Sequence, residues 1–110
     1  MQDQLHRSRQ LGADIARLNT WENVKFLHHV GKVCEHGLYA TNKINAQLLN
    51  CANSTICLRA KKFTEAGLME AVKRIKCKNG KERGTLYRIT QRGIDAVNAV
   101  VTETYNKYAL

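Results

Sequence analysis

The sequence predicts a mainly α-helical domain with one small β-hairpin, an α+β fold. Apolar residues recur at helical spacing in residues 3–18, 21–34 and 94–108. In a central stretch, apolar and polar residues instead alternate on either side of Asn79-Gly80. This dipeptide is the strongest short-range signal for a hairpin. With 110 residues, the chain is long enough for one core and leaves no room for a second domain. We therefore expect a single domain over residues 1–110.

The first segment, residues 3–18, predicts an amphipathic helix that is weakened or broken near Gly12. Its apolar stripe is too thin to stabilise the helix in isolation. We therefore expect this helix to pack against the core of the domain or against a second subunit.

Two more helices are predicted before residue 50. Asn19 and Thr20 are good N-cap residues for a helix over 21–34, and Gly37 suits the position after its C-terminus. Thr41 is the expected N-cap of a third, shorter helix. The apolar side chains expected in the core include Ile44, Leu48, Phe63 and Leu68.

A fourth helix is predicted over residues 54–66, with Ser54 as its N-cap. Ile56, Ala60 and Phe63 follow at the spacing of one helical face, so we expect this face to be buried. Gly67 is the expected end of the helix, because glycine readily adopts the left-handed conformation found there.

Residues 68–90 predict a β-hairpin, because imperfectly alternating apolar and polar residues flank the loop 78–84. This loop contains Asn79-Gly80 and several basic residues. From Gln91 the helical spacing returns and predicts a last helix.

The net charge of +9 and a pI near 9.7 indicate a polyanionic partner, most often nucleic acid and less often a membrane surface. Residues 55–92 contain eleven basic and three acidic residues, a net charge of +8, which leaves +1 for the rest of the chain. Nearly all the excess therefore lies on the fourth helix and the hairpin. The alternative is a solvated face that only keeps the protein soluble.

Several classes of protein are not expected. No apolar run approaches the roughly 18 to 20 residues that span a bilayer, and residues 1–10 lack the apolar core of a signal peptide. We expect an intracellular, cytoplasmic protein whose four cysteines are reduced thiols. Their spacing does not match the paired ligands of a structural zinc site, so no metal or other cofactor is expected. No catalytic set of residues, phosphate loop or small-molecule site is recognisable, and an enzyme is not expected.

The order of these elements resembles that of a winged helix-turn-helix. The sequence FTEAGL at residues 63–68 resembles the end of the recognition helix in MarR-like regulators, and LYRITQRG at residues 86–93 resembles their passage from the wing into the last helix. The resemblance implies a helix-turn-helix over residues 41–67, a wing over residues 68–90, and additional terminal helices over residues 1–19 and 93–110.

This fold predicts that the recognition helix, residues 54–66, enters the major groove and that the wing loop contacts the backbone or the minor groove. Arg59 is the expected base-reading residue, because its planar guanidinium can engage a guanine edge with two hydrogen bonds. Ser54 and Thr55 are expected to bind phosphate at the N-terminus of the helix. The expected DNA contacts are Thr41, Asn42, Lys43, Ser54, Thr55, Leu58, Arg59, Lys62, Lys78, Asn79, Lys81, Arg83 and Arg88.

Taken together, these features predict a sequence-specific, double-stranded DNA-binding transcriptional regulator. Two alternatives stay open: a viral or plasmid replication, partition or architectural DNA-binding protein, and a winged helix that binds an acidic protein surface. In MarR-like proteins the terminal helices form the dimer interface, so the resemblance implies a homodimer, and the apolar stripes at both chain ends agree with it. The expected interface residues are Leu5, Leu11, Ile15, Leu18, Ile94, Val97, Val101, Tyr105 and Tyr108.

Overall fold

The structure is a computed structural model that describes residues 2–76 and 83–108, with side chains for residues 9–76 and 84–108. The predicted mainly helical α+β fold is confirmed. Lys78, Asn79 and Lys81 of the predicted loop lie outside the described residues. The elements are α1 Gln2–Arg17, α2 Trp21–Glu35, α3 Asn42–Leu49, α4 Asn53–Glu65, β1 Met69–Lys76, β2 Arg83–Ile89 and α5 Gln91–Tyr108.

Two of the three predicted N-caps are confirmed. The Thr20 hydroxyl accepts a hydrogen bond from the backbone N–H of Asn23, and the Thr41 hydroxyl accepts one from Ile44, both over 3.3 Å. The prediction for Ser54 is wrong, because the N-cap of α4 is Ala52, two residues earlier, and Ala52 makes no side-chain hydrogen bond. The first turn of α4 therefore carries backbone N–H groups that no side chain caps.

The predicted break near Gly12 is also wrong, because α1 continues through this residue. A single glycine in a helix costs only about 1 kcal/mol relative to alanine. Leu11 and Ile15 are half-buried on either side of Gly12, and this packing holds the helix together.

The core lies between α2, α4, β1 and α5. Phe26 of α2 and Phe63 of α4 are fully buried, and their rings stack with centroids 6.1 Å apart. Ile56, Ala60 and Leu68 are also fully buried. The predicted inward face of α4 is therefore confirmed.

The predicted burial of two α3 side chains is wrong, because Ile44 and Leu48 are 45% and 64% exposed. Asn45 and Ala46 are buried instead. The rotation of α3 is fixed by a contact with α2, since Nε2 of His29 lies 3.0 Å from Oδ1 of Asn45 and satisfies that buried amide oxygen.

The hairpin pairs β1 and β2 as antiparallel strands, from Met69 opposite Ile89 to Lys76 opposite Arg83. A bulge between Ala71 and Lys73 shifts the register. Gly93, at the start of α5, packs against Leu68, which precedes β1, and against Ile89 at the end of β2. A Cβ there would lie 2.3 Å from the Leu68 carbonyl oxygen, so this approach requires glycine.

Candidate nucleic-acid interface

Helix α4 presents a polar and basic face to solvent. Its buried residues fall on one side, so Ser54, Leu58, Lys61 and Lys62 lie on or near the opposite side and are exposed. Leu58, the one apolar residue among these four, is 71% exposed. This face includes three of the predicted contacts, Ser54, Leu58 and Lys62.

Lys61 also lies on this face but is absent from the residues that the sequence predicts to contact DNA. Its exposure could have been predicted from the sequence, because Lys61 follows Ile56 by five residues and Ala60 by one. This spacing places Lys61 away from the buried face of the helix.

Arg59 and Thr55 lie on a flank of α4 and are half-buried. Arg59 borders a small recess together with Glu22 and Lys25 from the start of α2. Arg59 therefore lies closer to the buried face of α4 than Leu58 and Lys62 do.

The start of α3 lies against α4. The Thr41 hydroxyl caps α3, and the residue is buried. Asn42 donates a hydrogen bond from Nδ2 to Sγ of Cys57 over 3.7 Å, which joins the two helices. A shallow polar groove follows the turn between them and is lined by Lys43, Gln47, Asn50 and Asn53 among others. Only Lys43 of these four was predicted from the sequence.

Basic residues occur on the strands of the hairpin and not only in its predicted loop. Lys73, Arg74 and Lys76 on β1 are exposed, and Lys76 pairs in register with Arg83 of β2. These three β1 residues were missed because the sequence-based interpretation placed the contacts at the loop.

We use the name cationic surface for Lys61, Lys62, Lys73, Arg74 and Lys76. Within the described part of the chain, none of these five side chains has an ion-pair partner. Their charge is therefore available to an external polyanion.

Two other arginines of this region are held by acids. Arg88, a predicted DNA contact, pairs with Glu70 across the strands, and its hydrogen bond to that carboxylate raises the pKa of Arg88. Arg92 donates to both carboxylate oxygens of buried Asp14, over 2.8 and 3.1 Å, and this contact raises the pKa of Arg92. Arg92 therefore ties α5 to α1.

The predicted interface residues fall into three groups. Leu18 and Val97 are buried in the core of the chain, whereas Leu11, Ile15 and Ile94 are half-buried. Val101, Tyr105 and Tyr108 are exposed on the last turns of α5. The side chain of Leu5 lies outside the described part of the structure.

Two features are absent from the residues that the structure describes. No group of three or more His, Cys, Asp or Glu side chains within them is placed to hold a metal ion. No helix among them is long and apolar enough to cross a membrane.

No family model matches this sequence, and no curated protein matches it significantly. Solved structures do match its fold. A protein from Archaeoglobus fulgidus superimposes with a TM-score of 0.63 at 19% identity, over 84% of this chain and 94% of its own. The homodimeric winged helix-turn-helix DNA-binding domain of Mb0332 from Mycobacterium bovis, a possible ArsR-family transcriptional regulator, matches with a TM-score of 0.61 at 14% identity, over 96% of this chain and 84% of its own.

A third match is a mutant of MepR from Staphylococcus aureus bound to an oligodeoxyribonucleotide. Its TM-score is 0.57 at 15% identity, over 99% of this chain and 82% of its own. The order of the helices, the antiparallel hairpin and these likenesses together identify the fold of this chain as a winged helix-turn-helix, as in MarR-like and ArsR-family regulators.

Proposed function

We propose that this chain is a sequence-specific, double-stranded DNA-binding transcriptional regulator. The observation that carries this proposal is the cationic surface, because its five side chains lie on the recognition helix and the wing and have no acid partner within the described chain. A winged helix-turn-helix presents these two elements to a duplex.

The recognition helix, α4, fits the major groove, which is about 12 Å wide and admits one helix. Leu58, Lys61 and Lys62 face the groove in this arrangement, and Arg59 reaches a base edge from the flank of the helix. The uncapped first turn of α4 offers backbone N–H groups to a phosphate, and Ser54 and Thr55 add hydroxyls beside them.

The wing contacts the DNA backbone or the minor groove in this proposal. Lys73, Arg74 and Lys76 extend along β1 toward the loop that contains Lys78 and Lys81.

The regulator acts as a homodimer. Val101, Tyr105 and Tyr108 form an apolar face that the described side chains leave exposed, and a second copy of the chain would bury it. The homodimeric domain from Mycobacterium bovis supports this arrangement by its likeness in fold. Two recognition helices about 34 Å apart require a pseudo-palindromic site.

Fluorescence anisotropy tests the proposal with two labelled duplexes, one from upstream of the protein's own gene and one of unrelated sequence, over a series of salt concentrations. We expect binding to the upstream duplex to be tighter by about a thousandfold at physiological salt. Equal and steeply salt-dependent binding to both would indicate a replication, partition or architectural role instead. No binding to either duplex would favour a protein-interaction module and overturn the proposal.

A further inference from the structure

The end of the recognition helix α4 is held against the start of α5. Thr90, the residue before α5, donates hydrogen bonds from its hydroxyl to the carbonyl oxygen of Gly67 over 2.7 Å and from its backbone N–H to that of Leu68 over 3.0 Å. The same hydroxyl accepts a hydrogen bond from the backbone N–H of Gly93 over 3.2 Å. These bonds fix the turn that ends α4 to the first turn of α5.

The side chain of Arg92 lies against the same turn. A Cβ at Gly67 would lie 2.6 Å from Nη1 of Arg92, so the guanidinium occupies the space that a side chain at residue 67 would need. Its other two nitrogens, Nε and Nη2, donate to the carboxylate of Asp14 on α1 over 3.1 and 2.8 Å. One planar group therefore lies beside the end of α4 and binds α1.

Asp14 is oriented toward this contact by its own helix. Asp14 is 1% exposed, and Gln10, one turn earlier, donates a hydrogen bond from Nε2 to Oδ1 of Asp14 over 3.1 Å. A buried carboxylate needs such partners, because its desolvation is costly unless it is paired and hydrogen-bonded. Two parallel hydrogen bonds from one guanidinium restrict the direction of the contact as well as its length. The contact therefore orients α1 in addition to holding it.

We infer that Arg92 is a positioning residue, which fixes the direction of α1 relative to the recognition helix and thereby sets the spacing of the two half-sites that the dimer accepts. The inference rests on the homodimeric regulator of the proposed function, in which the terminal helices join the subunits. Two recognition helices about 34 Å apart lie about 17 Å from the two-fold axis. At that radius a rotation of about 10° moves each helix by about 3 Å, close to the rise of one base pair. A loose α1 would therefore blur the spacing.

The first test measures the direction of α1 without DNA. In a variant with all four native cysteines replaced by serine, Arg9→Cys on α1 and Lys62→Cys on α4 introduce exposed positions for spin labels. Pulsed electron paramagnetic resonance then gives the distance between the labels within one subunit, and an excess of unlabelled protein removes distances between subunits. We expect one narrow distribution, which Asp14→Asn makes about twice as wide because α1 then samples other directions. An unchanged width would overturn the inference.

Two further variants separate this contact from general stability. Arg92→Lys keeps the positive charge but cannot engage both carboxylate oxygens with one planar group, so it should broaden the distribution as Asp14→Asn does. Val30→Ala truncates a buried side chain of α2 and lowers stability through the core, so it should leave the distribution narrow. Equal broadening in Val30→Ala and Asp14→Asn would mean that lost stability alone moves α1, and it would overturn the inference.

The second test measures the half-site spacing that the dimer accepts. Footprinting on the upstream duplex defines the half-site, and anisotropy then gives the affinity for duplexes with two half-sites about 8 to 13 base pairs apart. We expect the unsubstituted protein to prefer one spacing by about a hundredfold over spacings two base pairs longer or shorter, and Asp14→Asn to reduce this preference to about fivefold. Affinity for a single half-site should stay unchanged within about twofold, because Asp14 is buried on α1. Asp95→Asn and Val30→Ala should keep the original preference.

The outcomes distinguish this inference from the proposed function. A spacing preference that survives both Asp14→Asn and Arg92→Lys would overturn the positioning role and leave specific DNA binding by a homodimer intact. A protein that binds no duplex specifically, or that stays monomeric on DNA, would overturn the proposed function and the spacing role together. In that case the distance measurement still shows whether Arg92 orients α1.

Discussion

The cationic surface and the exposed apolar face of α5, formed by Val101, Tyr105 and Tyr108, offer a partner two different kinds of interaction. The cationic surface spreads five charges over α4 and β1, whereas the apolar face confines its side chains to the last turns of α5. Charge attraction acts over about 8 Å at physiological salt and needs no close fit. Apolar burial is not weakened when salt screens charges, but it requires complementary shape. DNA binding and subunit association should therefore respond differently to the same change of conditions.

Both surfaces depend on one core, and the largest effect is expected from a change there. Phe63→Ala removes a fully buried ring of α4 that stacks on Phe26, so we expect the free energy of unfolding to fall by about 3–5 kcal/mol. Urea denaturation measures this loss, and both functions should fail together. Leu58→Ala on the same helix is the control and should cost less than about 0.5 kcal/mol, because Leu58 is exposed. Equal losses in the two variants would contradict this account.

The contact between Asp14 and Arg92 joins α1 to α5. Its removal should cause the second largest loss of stability. Asp14→Asn keeps the size of the side chain but leaves the guanidinium without its carboxylate. We expect unfolding free energy to fall by about 1–3 kcal/mol, less than for a fully buried pair because the Arg92 side chain is 44% exposed. Asp95→Asn, an exposed acid of α5, should change stability little. If both variants are equally stable in urea, Asp14 does not hold α1 to α5.

Sequence reasoning succeeded where the determinant is local. Thr41, and Thr20 as one of two candidates with Asn19, were correctly predicted as caps, because a cap acts within three residues. The inward face of α4 followed from the spacing of Ile56, Ala60 and Phe63. The order of elements, and with it the fold, depends on such local patterns repeated along the chain.

Sequence reasoning failed where a contact between residues far apart in the sequence determines the position of a side chain. The rotation of α3 depends on His29 and Asn45, which are 16 residues apart, and without it Ile44 and Leu48 were expected in the core. The partners Asp14 and Arg92 are 78 residues apart. No spacing rule reaches that far, so the sequence indicated no partner for Arg92, which was only counted among the eleven basic residues of 55–92.

A third prediction distinguishes folding from binding at the start of α3. Thr41→Ala removes the cap, so we expect a loss of about 1 kcal/mol in unfolding free energy. Ser54→Ala should leave stability unchanged within about 0.5 kcal/mol, because Ser54 caps nothing. Anisotropy at a temperature where both variants are folded should show the reverse order, with weaker DNA binding for Ser54→Ala than for Thr41→Ala. Weaker binding by Thr41→Ala would place its hydroxyl at the DNA.

Substitution of a single lysine should have the smallest effect of the four. It also tests most directly whether the two surfaces act separately. Lys61→Ala should lower the slope of log affinity against log salt by about 0.9, since one phosphate contact is lost. Its affinity for duplex DNA at physiological salt should fall severalfold, whereas its dimer dissociation constant should not change. Arg17→Ala removes the same charge from α1 and should leave the slope unaltered. An equal decrease in slope for both variants would mean that net charge, and not the cationic surface, binds DNA.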